Sequence, residues 1–249
     1  MDWSTFVLLG GLSVIVGVLI GSVGIGGVLL VPILTYIFTI DVHMAIAAAM
    51  FSYLFSGLVG ATIYARKRSI NWKMALWLFV GAMPAAFMGA LVVSAVPARG
   101  LEFLIATLIV FAGANALLTP VEDAHRDRLL SPIQLLVIGV ITGFGSAMTG
   151  TGGPLVLVPM LIWLKVPTLT AVGLSQAVQL PIASLATISN FIYGTVDMVI
   201  GGVIAVALMI GAAIGAHLAH AVSQATLRRV VAWVLVAVGI FIAGRILLA

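Results

Sequence analysis

Apolar residues run almost without interruption along this chain of 249 residues. Hydrophobic residues make up 63% of the sequence and charged residues only 7%, a balance unlike that of a water-soluble domain. A helix needs about 20 apolar residues to cross the hydrocarbon core of a bilayer. Eight segments have that character: Thr5–Ile40, His43–Ala65, Met74–Val96, Leu101–Leu118, Pro132–Leu164, Leu169–Tyr193, Met198–Ala219 and Thr226–Leu248. The sequence therefore predicts an all-α, multi-pass integral membrane protein.

The two halves of the chain repeat each other. The motif Gly24-Ile25-Gly26-Gly27 recurs as Gly150-Thr151-Gly152-Gly153. In the same register, Ala45 matches Ala171, Asn71 matches Asp197, and Gly89 matches Gly215. A constant register over such a distance indicates a duplication. We predict two homologous four-segment repeats, residues 1–118 and 132–249, which the hydrophilic loop 119–131 joins into one transport domain.

Each glycine motif lies inside an apolar segment that is too long for one crossing. A straight helix over Thr5–Ile40 would be about 50 Å long at 1.5 Å per residue, whereas the bilayer core is about 30 Å thick. Glycine adopts backbone conformations that end a helix, and proline removes a helical N–H donor. Each repeat is therefore predicted to open with a glycine-broken or re-entrant helical segment.

Two topologies remain, because the halves run in parallel if each broken segment crosses the membrane and are inverted if each is a hairpin. Basic residues concentrate on the cytoplasmic face of a membrane protein. The inverted scheme leaves only Arg99 and Arg245 on the outer face, and we favour it, with both termini outside. It places these basic residues on the cytoplasmic face: Arg66, Lys67, Arg68, Lys73, Arg126, Arg128, Lys165, Arg228 and Arg229.

The two breaks are the predicted substrate site. Unwound backbone offers unpaired N–H and C=O groups inside the membrane. The helices that begin after Gly27 and Gly153 would direct their positive N-terminal ends to this point, which suits an anion. The alternative is that the glycines only allow close helix packing. The candidate binding residues are Ser22, Gly24, Gly26, Gly27, Thr149, Gly150, Thr151, Gly152, Gly153 and Gln176.

Further polar residues lie within the segments that follow the two breaks. Amide and hydroxyl groups there either donate hydrogen bonds to an oxyanion or join helices to each other, and the sequence leaves both interpretations open. These residues are Ser175, Gln176, Gln179 and Asn190 in the second half, with Ser52 and Tyr53 in the mirrored stretch of the first.

The sequence disfavours an enzyme. It has no cysteine, no metal-spaced His/Glu pair and no nucleophile motif, so we predict no catalytic residue, no bound metal and no cofactor. Its basic residues lie beside apolar spans, where they set topology and do not bind nucleic acid. Two rivals to a transporter remain, a passive anion channel and a membrane assembly factor that binds no solute.

At the glycine motifs the chain resembles the sulfite exporter TauE/SafE family, also called the toluene sulfonate uptake permease family. The residues that carry the resemblance are GSVGIGGVLLVP (Gly21–Pro32) and GSAMTGTGGPLVLVP (Gly145–Pro159). The resemblance implies a multi-pass permease of the cell inner membrane, whose solute is a small anion such as sulfite or an organosulfonate. It implies no other partner than the lipid bilayer, and it leaves a homo-oligomer open.

Overall fold

The computed structural model describes residues 3–24, 26–118, 130–194, 196–223, 225 and 233. These residues form helices and no strand, which confirms the all-α prediction. The predicted segment Thr226–Leu248 and most of the hydrophilic loop lie outside the described residues. The helices are α1 (Trp3–Val23), α2 (Gly26–Ile37), α3 (Val42–Arg66), α4 (Trp72–Val93), α5 (Ala98–Leu118), α6 (Pro132–Thr149), α7 (Pro154–Trp163), α8 (Thr168–Tyr193) and α9 (Met198–Ala221).

Six of the described helices, α1, α3, α4, α6, α8 and α9, are long and apolar enough to cross a membrane. Two shorter apolar helices lie at the glycine motifs: α2 begins within the first motif, and α7 begins directly after the second. The first of them is irregular, because it begins as a 3₁₀ turn and ends as a π-helix over Ile33–Ile37. The chain is thus a multi-pass membrane protein.

Both overlong segments are broken where the sequence predicts. α1 ends at Val23 and α6 ends at Thr149. The residue directly after each helix is a glycine with a positive φ, 78° at Gly24 and 65° at Gly150. After the first break the chain turns back on itself, since a Cβ atom on Gly26 would lie 2.8 Å from the carbonyl oxygen of Val16. Glycine is favoured at Gly24 and Gly150 by the left-handed backbone and at Gly26 by the close approach of α1.

Close glycine contacts join α1 to α9 and α4 to α6, the two most extensive helix pairs among the described elements. A Cβ atom on Gly17 would lie 2.7 Å from the carbonyl oxygen of Leu208, and one on Gly89 would lie 2.6 Å from that of Phe144. Such contacts bring two backbones together and are typical of helix pairs in lipid, where packing has to replace the hydrophobic effect.

The directions of the helices follow from these contacts. Residues 17–21 of α1 lie against 208–216 of α9 in the same order, and 81–89 of α4 lie against 136–147 of α6 in the same order. In contrast, residues 57–60 of α3 meet 176–179 of α8 in reverse order. α1 is therefore parallel to α9, α4 is parallel to α6, and α3 is antiparallel to α8.

Two further contacts relate these pairs to one another. Ser52 of α3 donates a hydrogen bond to Gly201 near the start of α9, while Ser69, after the end of α3, contacts His220 near the end of α9, so the two helices are parallel. Ser69 also lies beside Gly173 near the start of α8. Since α4 begins three residues after Ser69 and packs along α8, both helices start at this end of the bundle. Hence α1, α3 and α9 run one way, whereas α4, α6 and α8 run the other.

We predict that Gly143→Val destabilises the protein, because a Cβ atom at Gly143 would lie 2.8 Å from the Cα of Ala82 on α4. The free energy of unfolding should fall by about 3 kcal/mol, measured as thermal stability of the purified protein in detergent. Gly145→Val is the matched control in the same helix, since nothing lies within 4 Å of its Cβ position. Equal melting temperatures of the two variants would contradict the α4–α6 contact.

Candidate functional site

The two glycine motifs meet inside the helical bundle, at a place that we call the junction (Gly24, Gly27 and residues 150–153). A Cβ atom on Gly27 would lie 2.7 Å from the carbonyl oxygen of Thr151. Each motif also packs against the helix that follows the other break: Gly24 lies against Val158 of α7, and Gly150 lies against Val31 of α2. The breaks that are far apart in sequence thus form one buried structure.

Tyr53 of α3 joins both motifs. Its hydroxyl donates a 2.6 Å hydrogen bond to the carbonyl oxygen of Gly27, and its ring lies beside Gly152, where a Cβ atom would come within 2.7 Å of it. Its own carbonyl oxygen accepts a 2.9 Å hydrogen bond from Nε2 of Gln179 on α8. Tyr53 is completely buried, so it is part of the junction and not of an aromatic belt.

Side chains also donate hydrogen bonds to the carbonyl groups at the end of α1. Nε2 of Gln176 donates to the carbonyl oxygen of Ile20 at 2.8 Å, and the hydroxyl of Tyr64 donates to that of Gly21 at 2.9 Å. The carbonyl oxygen of Ile20 also accepts from the N–H of Gly24 at 2.9 Å, but the last carbonyls of a helix generally lack an intrahelical partner, and inside a membrane water does not supply one. These two side chains therefore satisfy the negative end of the α1 dipole.

The N-terminus of α7 is left open. Gly153 is its N-cap residue, and it offers no side chain to the first N–H groups. Among the described residues, the backbone N–H groups of Gly152, Gly153 and Leu155 donate no hydrogen bond, although all three residues are buried. Buried N–H groups are rarely without an acceptor, so this helix end can accept an anion, which the helix dipole also favours.

The structure brings most of the predicted site residues together. Gly24, Gly27, Gly150, Gly152 and Gly153 form the junction, and four of these five have a positive φ. The hydroxyls of Thr149 and Thr151 contact each other at 3.1 Å beside them, while Thr149 also donates to the carbonyl oxygen of Gly145.

Three predicted residues have other positions. Gly26 packs back against α1. The hydroxyl of Ser22 turns to Leu19 of its own helix at 3.5 Å, and its backbone lies against Gly215 of α9. Gln176 uses its amide nitrogen to cap α1, so in this conformation it is a structural donor at the edge of the junction.

Sequence reasoning left Tyr53 and Gln179 open between anion binding and helix joining, and it did not single out Tyr64. One signal was present, because Tyr53 and Gln179 occupy matching positions of the two repeats and both are polar residues inside apolar segments. Tyr64 gave no such signal, since a tyrosine one turn before a basic loop is also typical of the membrane interface.

A family model described as sulfite exporter TauE/SafE matches residues 9–242 of the chain. The protein belongs to the TauE/SafE family. It is similar to a probable membrane transporter protein of Methanocaldococcus jannaschii, with 29% identity covering 95% of this chain and 96% of the relative. It is also similar to the probable membrane transporter protein YdhB of Bacillus subtilis, with 27% identity covering 86% and 90%. No solved structure gives a significant match.

Membership of the TauE/SafE family confirms the resemblance found at the two glycine motifs. Both motifs lie inside the matched range, and the relatives carry the name of membrane transporters. For this TauE/SafE protein, the family and the helical architecture together identify a multi-pass membrane transporter.

We predict that Tyr53→Phe lowers stability without changing the packing of the ring on Gly152. The Gly27 carbonyl would be left buried and unpaired, which costs about 1–3 kcal/mol and should lower the melting temperature of the solute-free protein. Tyr193→Phe is the control, because Tyr193 is 56% exposed and its removal should change stability by less than about 0.5 kcal/mol. A Tyr53→Phe protein as stable as the control would contradict the hydrogen bond.

Proposed function

We propose that this protein is a secondary transporter that moves a small sulfur-containing oxyanion, such as sulfite or an organosulfonate, across the cytoplasmic membrane by alternating access. The substrate class follows the name of the family. The chemistry of the junction supports an anion of this kind.

The observation that carries the proposal is the unequal treatment of the two helix ends at the junction. The carbonyl groups of Ile20, Gly21 and Gly27 each accept a hydrogen bond from a side chain of α3 or α8. The N–H groups at the start of α7 have no such partner in the described structure. With these three carbonyls occupied and the amides at the start of α7 open, an oxyanion with several acceptor oxygens matches the available donors.

Alternating access by exchange between two inverted halves is consistent with the helix directions. Three helices of the first half run opposite to their repeat-matched partners: α1 runs opposite to α6, α3 to α8 and α4 to α9. Related halves that cross the membrane in opposite senses can exchange conformations and so expose one site to each face in turn. This supports the division into residues 1–118 and 132–249 around the connecting loop.

We predict that the purified protein binds sulfite saturably and that Thr151→Val weakens this binding about tenfold, since a hydrogen bond to a charged group contributes about 1.5–3 kcal/mol. Isothermal titration with sulfite, sulfate and methanesulfonate measures the effect. Thr62→Val is the control, because the exposed hydroxyl of Thr62 bonds only to Leu58 of its own helix. Equal affinities of the two variants would remove Thr151 from the site.

Counterflow in proteoliposomes separates the transporter from its rivals. A carrier that alternates between two faces accelerates uptake of labelled sulfite when unlabelled sulfite is inside, whereas a channel does not, and an assembly factor gives no flux. Absence of this acceleration in a preparation that binds sulfite would contradict alternating access.

We predict that the α3–α4 turn and the start of α9 lie on opposite faces of the membrane. α8 connects the two places, and its 26 residues span about 39 Å. In this cysteine-free chain, Met198→Cys in intact cells should react with an impermeant thiol reagent from outside, and Lys67→Cys only after permeabilisation. Reaction of both cysteines from the same face would favour parallel halves.

A further inference from the structure

Buried polar atoms without a partner concentrate on α6 and α8. Among the described residues, these two helices hold most of the buried side-chain oxygen and nitrogen atoms for which the structure gives no hydrogen-bond partner. They belong to Thr142 and Ser146 of α6 and to Gln176 (Oε1), Thr187, Ser189 and Asn190 (Nδ2) of α8. Exposure of these residues does not exceed 6%, so neither lipid headgroups nor bulk water reaches them in this conformation.

On α8 the polar residues form one stripe. At about 100° per residue, Gln176, Gln179, Thr187 and Asn190 fall within about 80° of the helix circumference. The stripe is about 21 Å long at 1.5 Å per residue, which is about two thirds of the hydrocarbon thickness. Ser189 lies about 100° away from Asn190 and does not belong to it.

The stripe passes the junction. A Cβ atom on Gly153 would lie 3.9 Å from the Cα of Gln179 and 4.0 Å from Cγ2 of Thr142. The nearest atom to that Cβ position is Cδ1 of Ile182 at 3.2 Å, so Gly153 lies at the edge of the α8 stripe, beside Thr142 of α6. Because α6 and α8 run in the same direction, Ser146 follows Thr142 towards the same end of the bundle at which Thr187 and Asn190 lie.

The first half of the chain lacks this feature. The repeat-matched residues of Thr142, Ser146 and Thr187 are Val16, Ile20 and Ala61, which are apolar. The match of Asn190 is Tyr64, whose hydroxyl is already bonded to Gly21. At the first three positions the shared scaffold packs with apolar side chains, so the polar side chains of Thr142, Ser146 and Thr187 in the second half need another cause.

We propose that the α8 stripe of Gln176, Gln179, Thr187 and Asn190, together with Thr142 and Ser146 of α6, is the route by which the anion reaches the junction. This route rests on the proposed transport function, and it adds the path that the anion follows through the bundle. Hydroxyl and amide N–H groups donate hydrogen bonds to an oxyanion, and they carry no fixed positive charge that would hold it too tightly. In the present conformation the part beyond Gly153 is closed, so its donors are unpartnered until water and the anion enter.

Single cysteines test the route, since the chain has none of its own. Thr187→Cys and Asn190→Cys place a thiol on the stripe. Ser189→Cys is a matched control, equally buried and equally without a partner but on another face, and Ile188→Cys, with Ile188 47% exposed, marks the outer surface of the helix. The probe is sulfonatoethyl methanethiosulfonate, an anionic, impermeant reagent, applied to variants that retain transport in proteoliposomes.

We expect the stripe cysteines to react at least about tenfold faster than Ser189→Cys, because thiol modification follows access. Methanesulfonate should slow their reaction and leave Ile188→Cys unchanged. Equal rates at positions 189 and 190, or no reaction at 187 and 190 in a transporting preparation, would overturn the route. Reaction at the stripe without protection by methanesulfonate would support the route and contradict the proposed substrate.

Asn190→Leu supplies a second test that does not depend on labelling. Leucine has a similar size and no donor. If Asn190 serves the route, sulfite counterflow should fall about tenfold while the melting temperature stays the same or rises, because an unpaired buried amide is removed. A lower melting temperature with normal counterflow would mean that Asn190 only packs, and would overturn its place in the route.

Discussion

Unpaired backbone groups in the membrane interior are the constraint on which this structure depends. Two helices end near the middle of the bundle, and lipid offers nothing to their free carbonyl and N–H groups. Tyr53, Tyr64 and Gln176 satisfy the carbonyls around the first break, and Thr149 and the Gly150 N–H satisfy carbonyls at the end of α6. The N–H groups at the N-terminus of α7 remain without an acceptor among the described residues, and the proposed anion site rests on them.

Close glycine packing holds the two breaks in register. α1 is clamped to α9 and α4 to α6 by backbone contacts that a single added methyl group would break. Each of these pairs joins one helix from each half of the chain, so neither broken segment is supported by its own half alone. The junction is therefore a product of both halves, which fits a site that has to respond to movements of one half against the other.

Much of the candidate site could be predicted because its causes are local. The breaks at Gly24 and Gly150 follow from segment length and from the backbone freedom of glycine. Gln176 was expected to bind the solute, but it caps α1, because the identity of a side chain's partner depends on which helix lies opposite. Tyr64 was not expected, since nothing in its neighbourhood along the chain indicates that Gly21 lies within reach of its hydroxyl.

The sequence by itself determined that the chain is a multi-pass helical membrane protein with two interrupted segments, because hydropathy and glycine conformation act over a few residues. Only the tertiary structure decided that the two interruptions meet, which carbonyls are occupied and which N–H groups stay open. It also decided that Gln179, on the polar stripe of α8, lies beside Gly153 and that Gly153 lies beside Thr142 of α6. These properties arise from contacts between residues that lie 26 to 156 positions apart, and a hydrogen bond formed at that distance leaves no pattern along the chain.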